Sequence, residues 1–215
     1  MVMTESSAER RQRLVDTQAY NGLALLTLYD GWRYFEPSDV DCFIAFEVHR
    51  GTAVACGDPV CAEGDITEML SRFAEYCGGR GWKFTFVGAS ARVGKAAAEL
   101  GWNAAKVGEE PFLDLATYSL SGRGAKKARS AINLAKRSGI TVEEYTHSSP
   151  AIDSEIDGIK QAWLASRKAM PMGFLLRSRP FAKRDKKRTF IALQDGRVVG
   201  AMTCAPAPEI GRAHV

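Results

Sequence analysis

Apolar positions along the first half of the chain alternate between the spacing of a strand and the spacing of a helix, and each switch marks an element. Arg10 to Ala19 reads as a short helix. Leu23–Tyr29, Arg33–Phe35, Asp41–Val48 and Thr52–Cys56 carry the β-branched, aromatic and alternating content of strands. Asp65 stands where a helix would be capped, with Glu68 completing a capping-box-like pair and Met69, Leu70, Phe73 and Cys77 forming the apolar stripe. Trp82 to Val87 predicts a buried strand. Ser90 then caps a helix that runs through Leu100 and ends at Gly101, and a further strand leads to Leu115.

The second half starts the same order again, through a segment of different character. Gly122 to Arg137 holds six bases and no acid. Wound as a helix, it gathers Ala128, Ala131, Ile132, Leu134 and Ala135 on one side, which is expected to pack. Lys126, Arg129, Asn133, Lys136 and Arg137 fall on the other, which is either a solvated surface or a row of cations offered to a polyanion. Strand Ile140–Tyr145 follows, then a helix with Ile152, Ile156, Ile159 and Trp163 at helical spacing. Strands Thr189–Leu193 and Arg197–Cys204 are joined by an Asp195-Gly196 hairpin turn.

Composition adds clustering rather than bulk charge. The 215 residues are 46% hydrophobic and 25% charged, ordinary for a globular chain with a buried core, and the net charge is only +4. A second basic cluster, Arg177 to Arg188, contains Asp185 as its one acid, and between the two clusters lie Glu143, Glu144, Asp153, Glu155 and Asp157. Such clustering suggests contact with phosphate, from nucleic acid or from an anionic lipid headgroup. Met1 to Arg13 is polar and no apolar run approaches a membrane span, so the chain is expected to be cytoplasmic, or peripheral at the inner face of the membrane. The five cysteines, Cys42, Cys56, Cys61, Cys77 and Cys204, lack zinc-ligand spacing and are expected to be reduced core thiols. Neither His49 nor His147 has a spaced partner for nucleophilic catalysis, so no catalytic residue is assigned.

The order of motifs resembles a known family. Glu109-Glu110 and a strand ending in Asp114-Leu115, then Tyr118-Ser119-Leu120, the basic helix with Arg129 and Asn133, and Arg137-x-Gly139 look like the C-terminal domain of lysyl-phosphatidylglycerol synthases. Trp32-Arg33-Tyr34-Phe35, Phe43-Ile44-Ala45-Phe46 and Gly57-Asp58-Pro59-Val60 match upstream. Trp163 to Lys168, Gly173-Phe174 and Asp195 to Gly200 match downstream, so the resemblance covers roughly residues 20–206. It implies an α/β fold of tandem GNAT-like units: a first unit at 1–118 and the start of a second at 119–208. It also implies transfer of an aminoacyl group, typically lysyl, from tRNA to the headgroup hydroxyl of phosphatidylglycerol. The donor ester is already activated, so no cofactor or metal is expected, and positioning with a modest base suffices. Lys126, Lys127, Arg129, Lys136 and Arg137 would then bind tRNA or lipid phosphate, assisted by Arg167, Lys168, Arg177 and Arg179.

Several positions keep two readings. The loop before the first unit's main helix, Gly57 to Asp65, is where a GNAT fold normally cradles a CoA pyrophosphate, yet it carries three carboxylates and a proline. Asp58 either stabilises that turn or shapes a substrate pocket. Arg167 and Lys168 either complement a helix C-terminus or bind phosphate. Trp163 either fills the core or stacks on a base, and the Met170–Leu176 segment with Phe174 either lines an acyl groove or is buried; Asn133 is a further pocket candidate. An acyl-CoA-dependent N-acyltransferase and a non-catalytic module binding anionic lipid or nucleic acid are the rival functions. Glu209 to Val215 reads codon for codon as a translated sequencing adapter, so the natural chain is expected to continue past Pro208.

Overall fold

The computed structural model describes residues 5–109, 116–166 and 183–206. The chain divides into two compact units, one reaching Glu109 and the other spanning residues 110–205.

In unit 1, helix α1 (Ser7–Gln18) begins on a full capping box. The Ser6 hydroxyl accepts from the Glu9 N–H while the Glu9 carboxylate accepts from the Ser6 N–H at 2.9 Å. Leu14 and Val15 are its buried residues, and Arg10 and Arg13 both reach Asp41. The sheet runs β1 (Arg33–Phe35), β2 (Ile44–His49), β3 (Thr52–Cys56), β4 (Lys83–Val87) in that spatial order. The first three strands form an antiparallel meander, whereas β4 lies parallel to β3 after the crossover helix α2 (Ile66–Gly78); α3 (Ala91–Glu99) follows. The core lies between α2 and the sheet. Phe73 of α2 touches Phe46, Phe86, Phe35 and Phe84, with ring centroids between 5.2 and 6.2 Å apart. Met69, Leu70 and Cys77 complete the predicted stripe, all fully buried.

Four expectations for this unit need correction. Leu23–Tyr29 is not a strand: Ala24–Leu28 is a 3₁₀ turn, tied by the Thr27 hydroxyl to the Ala24 carbonyl and by the Trp32 indole N–H to the Leu26 carbonyl at 2.8 Å. Periodicity does not separate a short continuous apolar run in a strand from one in a helical turn. Asp65 occupies the position before α2 but in helical φ/ψ, so its side chain makes no capping bond, and Glu68 pairs with Arg72 instead. Ser90 likewise gives α3 no side-chain cap, because its hydroxyl is turned to Asp58. The predicted buried strand at Trp82–Val87 is an outer strand among the described residues, with Lys83 and Thr85 exposed.

Unit 2 contains α4 (Lys126–Arg137), β5 (Thr141–Glu144), α5 (Pro150–Ala165), β6 (Arg188–Gln194) and β7 (Arg197–Cys204). The three strands form an antiparallel sheet in the order β5-β6-β7. α5 covers one face, where Ile156, Ile191 and Val198 form a core joined by Tyr145, Ile152, Ile159 and Leu193. The β6–β7 hairpin turns through Asp195 (φ 51°) and Gly196 (φ 76°), the paired left-handed conformations that this two-residue sequence favours. Register passes from Ala192↔Gly200 to Leu193↔Val198, so Val199 bulges out of the ladder. Val142 and Met202 lie on the face opposite Ile191, at 67% and 60% exposure. Trp163, read as either a core residue or one that stacks on a base, is 42% exposed at the end of α5 and so does not fill the core.

Candidate functional site

Helix α4 forms from good helix formers, chiefly alanine, lysine and arginine, and its ends are asymmetric. The C-terminus closes in a Schellman arrangement: the Gly139 N–H donates to the Lys136 carbonyl, the Ile140 N–H donates to the Ala135 carbonyl, and Gly139 takes φ +70°. Lys136 and Arg137 sit in that last turn, where cations complement the helix dipole. Lys126 and Lys127 occupy the first turn, which has neither an acid nor a side-chain cap, so their charges oppose the dipole. A locally unfavourable placement of this kind is what a binding surface tolerates.

Four of the five predicted cations of α4, Lys126, Lys127, Lys136 and Arg137, point into solvent, as does Asn133. Arg129 is different. Its guanidinium donates to the Leu120 and Gly122 carbonyls at 2.5 and 2.7 Å and so fastens the helix to the loop before it. The opposite face does not pack as expected: α4 has no buried residue, and Ile132 and Leu134 are exposed.

Of the remaining predicted phosphate contacts, Arg167, Lys168, Arg177 and Arg179 lie outside the described residues, as do Phe174 and the rest of the 170–176 segment. Two of the described bases of the second basic cluster, Arg184 and Arg188, are engaged by acids. Arg188 grips Glu144 through two hydrogen bonds, which hold the Glu144 carboxyl below its ordinary range. Arg184 bonds Asp153 at 2.9 Å. Burial pushes Asp153 upward, but hydrogen bonds from the Tyr145 hydroxyl, Arg184 and the Ser148 hydroxyl outweigh it and leave the carboxyl below its usual value. The Glu155 carboxylate accepts from the Val198 N–H at 2.6 Å. The acidic stretch is thus largely the internal counterpart of α5 and its sheet.

In unit 1 the Gly57–Asp65 loop uses three of its backbone donors internally, those of Gly57, Val60 and Asp65. The Gly57 N–H bonds the Val87 carbonyl, and Val60 exchanges both backbone bonds with Phe43. The Asp58 side chain, 5% exposed, accepts from the Ser90 N–H (2.7 Å), the Ser90 hydroxyl (2.7 Å) and Arg92 Nε (3.0 Å). Arg92 also lies over the Tyr20 ring at 4.0 Å. The carboxylate therefore stands at the N-terminus of α3, on the carboxyl side of the parallel β3–β4 pair, where an open α/β sheet usually receives a ligand. Ser90 and Arg92 are 32 and 34 residues from Asp58, and no local sequence signal links them to it.

Cys42, Cys56, Cys61 and Cys77 are buried free thiols as expected, with burial pushing Cys56 up to about 12, whereas Cys204 is exposed at the end of β7. Among the described residues no histidine, cysteine or carboxylate group is arranged to hold a metal ion, and no helix is long and apolar enough to cross a membrane.

The chain has the fold of L-PGS from Bacillus licheniformis, with a TM-score of 0.73 at 21% identity over 96% of this chain and 64% of that one. The DUF2156 domain from Agrobacterium fabrum is equally similar, at 0.73 and 22% over 94% of this chain and 64% of that one. The lysylphosphatidylglycerol biosynthesis bifunctional protein LysX of Mycobacterium leprae is 33% identical over 119 residues, and that of Gordonia bronchialis is 30% identical over 104. Those stretches cover 55% and 48% of this chain but only about a tenth of either relative. Because residues 11–212 match the family described as phosphatidylglycerol lysyltransferase, C-terminal, nearly from end to end, the chain belongs to that family.

Proposed function

We propose that the chain is part of a transferase that moves an aminoacyl group, typically lysyl, from aminoacyl-tRNA to a headgroup hydroxyl of phosphatidylglycerol or a related acceptor. The observation that carries this reading is the family match over residues 11–212. In the reaction the acceptor oxygen attacks the ester carbonyl carbon, a new C–O bond forms, and the bond to the tRNA ribose oxygen breaks. The acceptor's proton ends on that ribose hydroxyl, so the exchange of one ester for another is balanced without an oxidant or a second substrate. tRNA is a polyanion and phosphatidylglycerol presents an anionic membrane surface, and the solvent-facing Lys126, Lys127, Lys136 and Arg137 supply cations to one of them. Arg167, Lys168, Arg177 and Arg179 are proposed to assist, and Asn133, Trp163 and Phe174 to border the reacting groups. The chain would work from the cytoplasmic side as a peripheral partner of the anionic membrane.

Transfer from acyl-CoA is the less suited chemistry, since the loop that would hold a pyrophosphate has bonded its Gly57 and Val60 N–H groups internally and placed the Asp58 carboxylate beside α3. The test gives the native gene product radiolabelled lysyl-tRNA, phosphatidylglycerol vesicles and acetyl-CoA as a competing donor. Label is expected in the lipid phase. Label that stays on tRNA while acetyl-CoA is consumed would replace this reading with N-acyl transfer, and binding without either turnover would reduce the chain to a docking module.

A further inference from the structure

The end of unit 1 where the β2–β3 turn, the C-terminus of α2 and the start of β4 meet is cationic in its own right. The Lys83 N–H donates to the Gly51 carbonyl at 2.9 Å, and Lys83 pairs with Thr52, so Lys83 adjoins the turn that carries Arg50. Arg33, opposite Phe46 on β1, brings its guanidinium carbon 5.7 Å from the Trp82 ring centroid. Arg80 stands 5.9 Å from the same ring and 3.6 Å from that of Tyr76, and donates to the Tyr76 carbonyl at 3.1 Å. All four bases are exposed. Arg10, Arg13, Arg72 and Arg92 are each held by a carboxylate, whereas among the described residues no ion pair engages Arg33, Arg50, Arg80 or Lys83. Glu75 precedes Tyr76 on α2 and makes no ion pair with them.

Two properties decide what such a corner suits. Aromatic rings beside Arg33 and Arg80 restrict both guanidiniums, Arg80 the more closely, which lowers the cost of ordering them against phosphate oxygens. The corner also exposes no large apolar side chain, in contrast to α4 with Ile132 and Leu134, so it has nothing to insert into a bilayer. We infer that this corner is an RNA-binding surface, in which Arg33, Arg50, Arg80 and Lys83 contact the phosphates of a polynucleotide strand. The inference rests on the reading of aminoacyl-tRNA as donor and locates a docking surface for that donor on unit 1.

The test compares the native protein with R33Q/R50Q/R80Q/K83Q, measuring anisotropy of labelled deacylated tRNA across a salt series and sedimentation with phosphatidylglycerol vesicles. The variant should bind tRNA at least roughly tenfold more weakly, with a salt slope shallower by about 3, as four lost phosphate contacts require. Vesicle sedimentation and the thermal midpoint should not move. A second variant, R50Q/K83Q, leaves both arginine–aromatic contacts intact and should lose about half of that slope. Unchanged tRNA binding in the quadruple variant would overturn the corner while leaving the transfer reaction standing. Lost vesicle binding with tRNA binding intact would reassign it to lipid and overturn the inference, and a native protein that does not bind tRNA would overturn both readings.

Discussion

The Asp58 carboxylate satisfies the N–H of Ser90, the residue before α3, together with a hydroxyl and a guanidinium, while being almost wholly withdrawn from water. Removing one partner of such a pair leaves the other buried without compensation. Asp58→Ala should destabilise unit 1 by about 3 kcal/mol, and adding Arg92→Leu should recover much of the loss. Denaturant unfolding of the two variants checks this, and a single variant within error of the native protein would show the tie to be dispensable. Asp153 makes the comparable case in unit 2 through its pH dependence. Its folded carboxyl titrates below the unfolded one, so it contributes stability that is complete above about pH 4 and is lost as the pH falls through the depressed folded value. The difference in thermal midpoint between the native protein and Asp153→Asn should therefore be largest near neutrality and close in acid; a constant difference would exclude the carboxylate's charge as its source. Neither tie was legible in the sequence. Each joins residues some thirty positions apart, and Asp58 was readable only as a turn residue or a pocket residue, not as a partner of Ser90 and Arg92.

Elements were more legible than their ends. Thr52–Cys56 and Arg197–Cys204 are strands over the expected residues, the α2 stripe is buried as expected, and the Asp195-Gly196 turn has the conformation its sequence demands. These rest on periodicity and turn chemistry, which act locally. The helix caps failed because capping depends on where a side chain finds its best partner: Ser90 prefers Asp58, and Glu68 prefers Arg72. α4 was legible as a helix, but its apolar side was not legible as exposed, since a pattern says which residues share a face and not what covers it. The conflict at its N-terminus gives a test with opposite signs. Replacing Lys126 and Lys127 by Glu should raise helix stability by roughly 0.5 kcal/mol, because acids complement that end of the dipole. The same change should weaken binding to anionic vesicles or tRNA. Thermal unfolding and the binding assays are read on one sample; a variant both less stable and equally avid would show that these lysines serve the fold.

At the scale of the molecule, the two units carry different surfaces. Unit 1 has a cationic corner with no exposed large apolar side chain, and unit 2 exposes apolar residues on both α4 and the open face of its sheet. Ile191 is covered by α5, so the uncovered apolar surface of that sheet belongs to Val142 and Met202, with Val199 at the bulge. β7 is an outer strand among the described residues, and a strand with free backbone groups beside an apolar face invites pairing with another copy. The 215-residue chain should therefore self-associate, its sedimentation coefficient rising with concentration, and should do so less when Val142 and Met202 are replaced by Thr. Salt separates this contact from the charged surfaces: apolar association persists or strengthens as salt rises, whereas binding through α4 or the unit 1 corner weakens. A chain that sediments as a monomer over the whole concentration range would show that the open face is covered or that its apolar area is too small to hold two copies together.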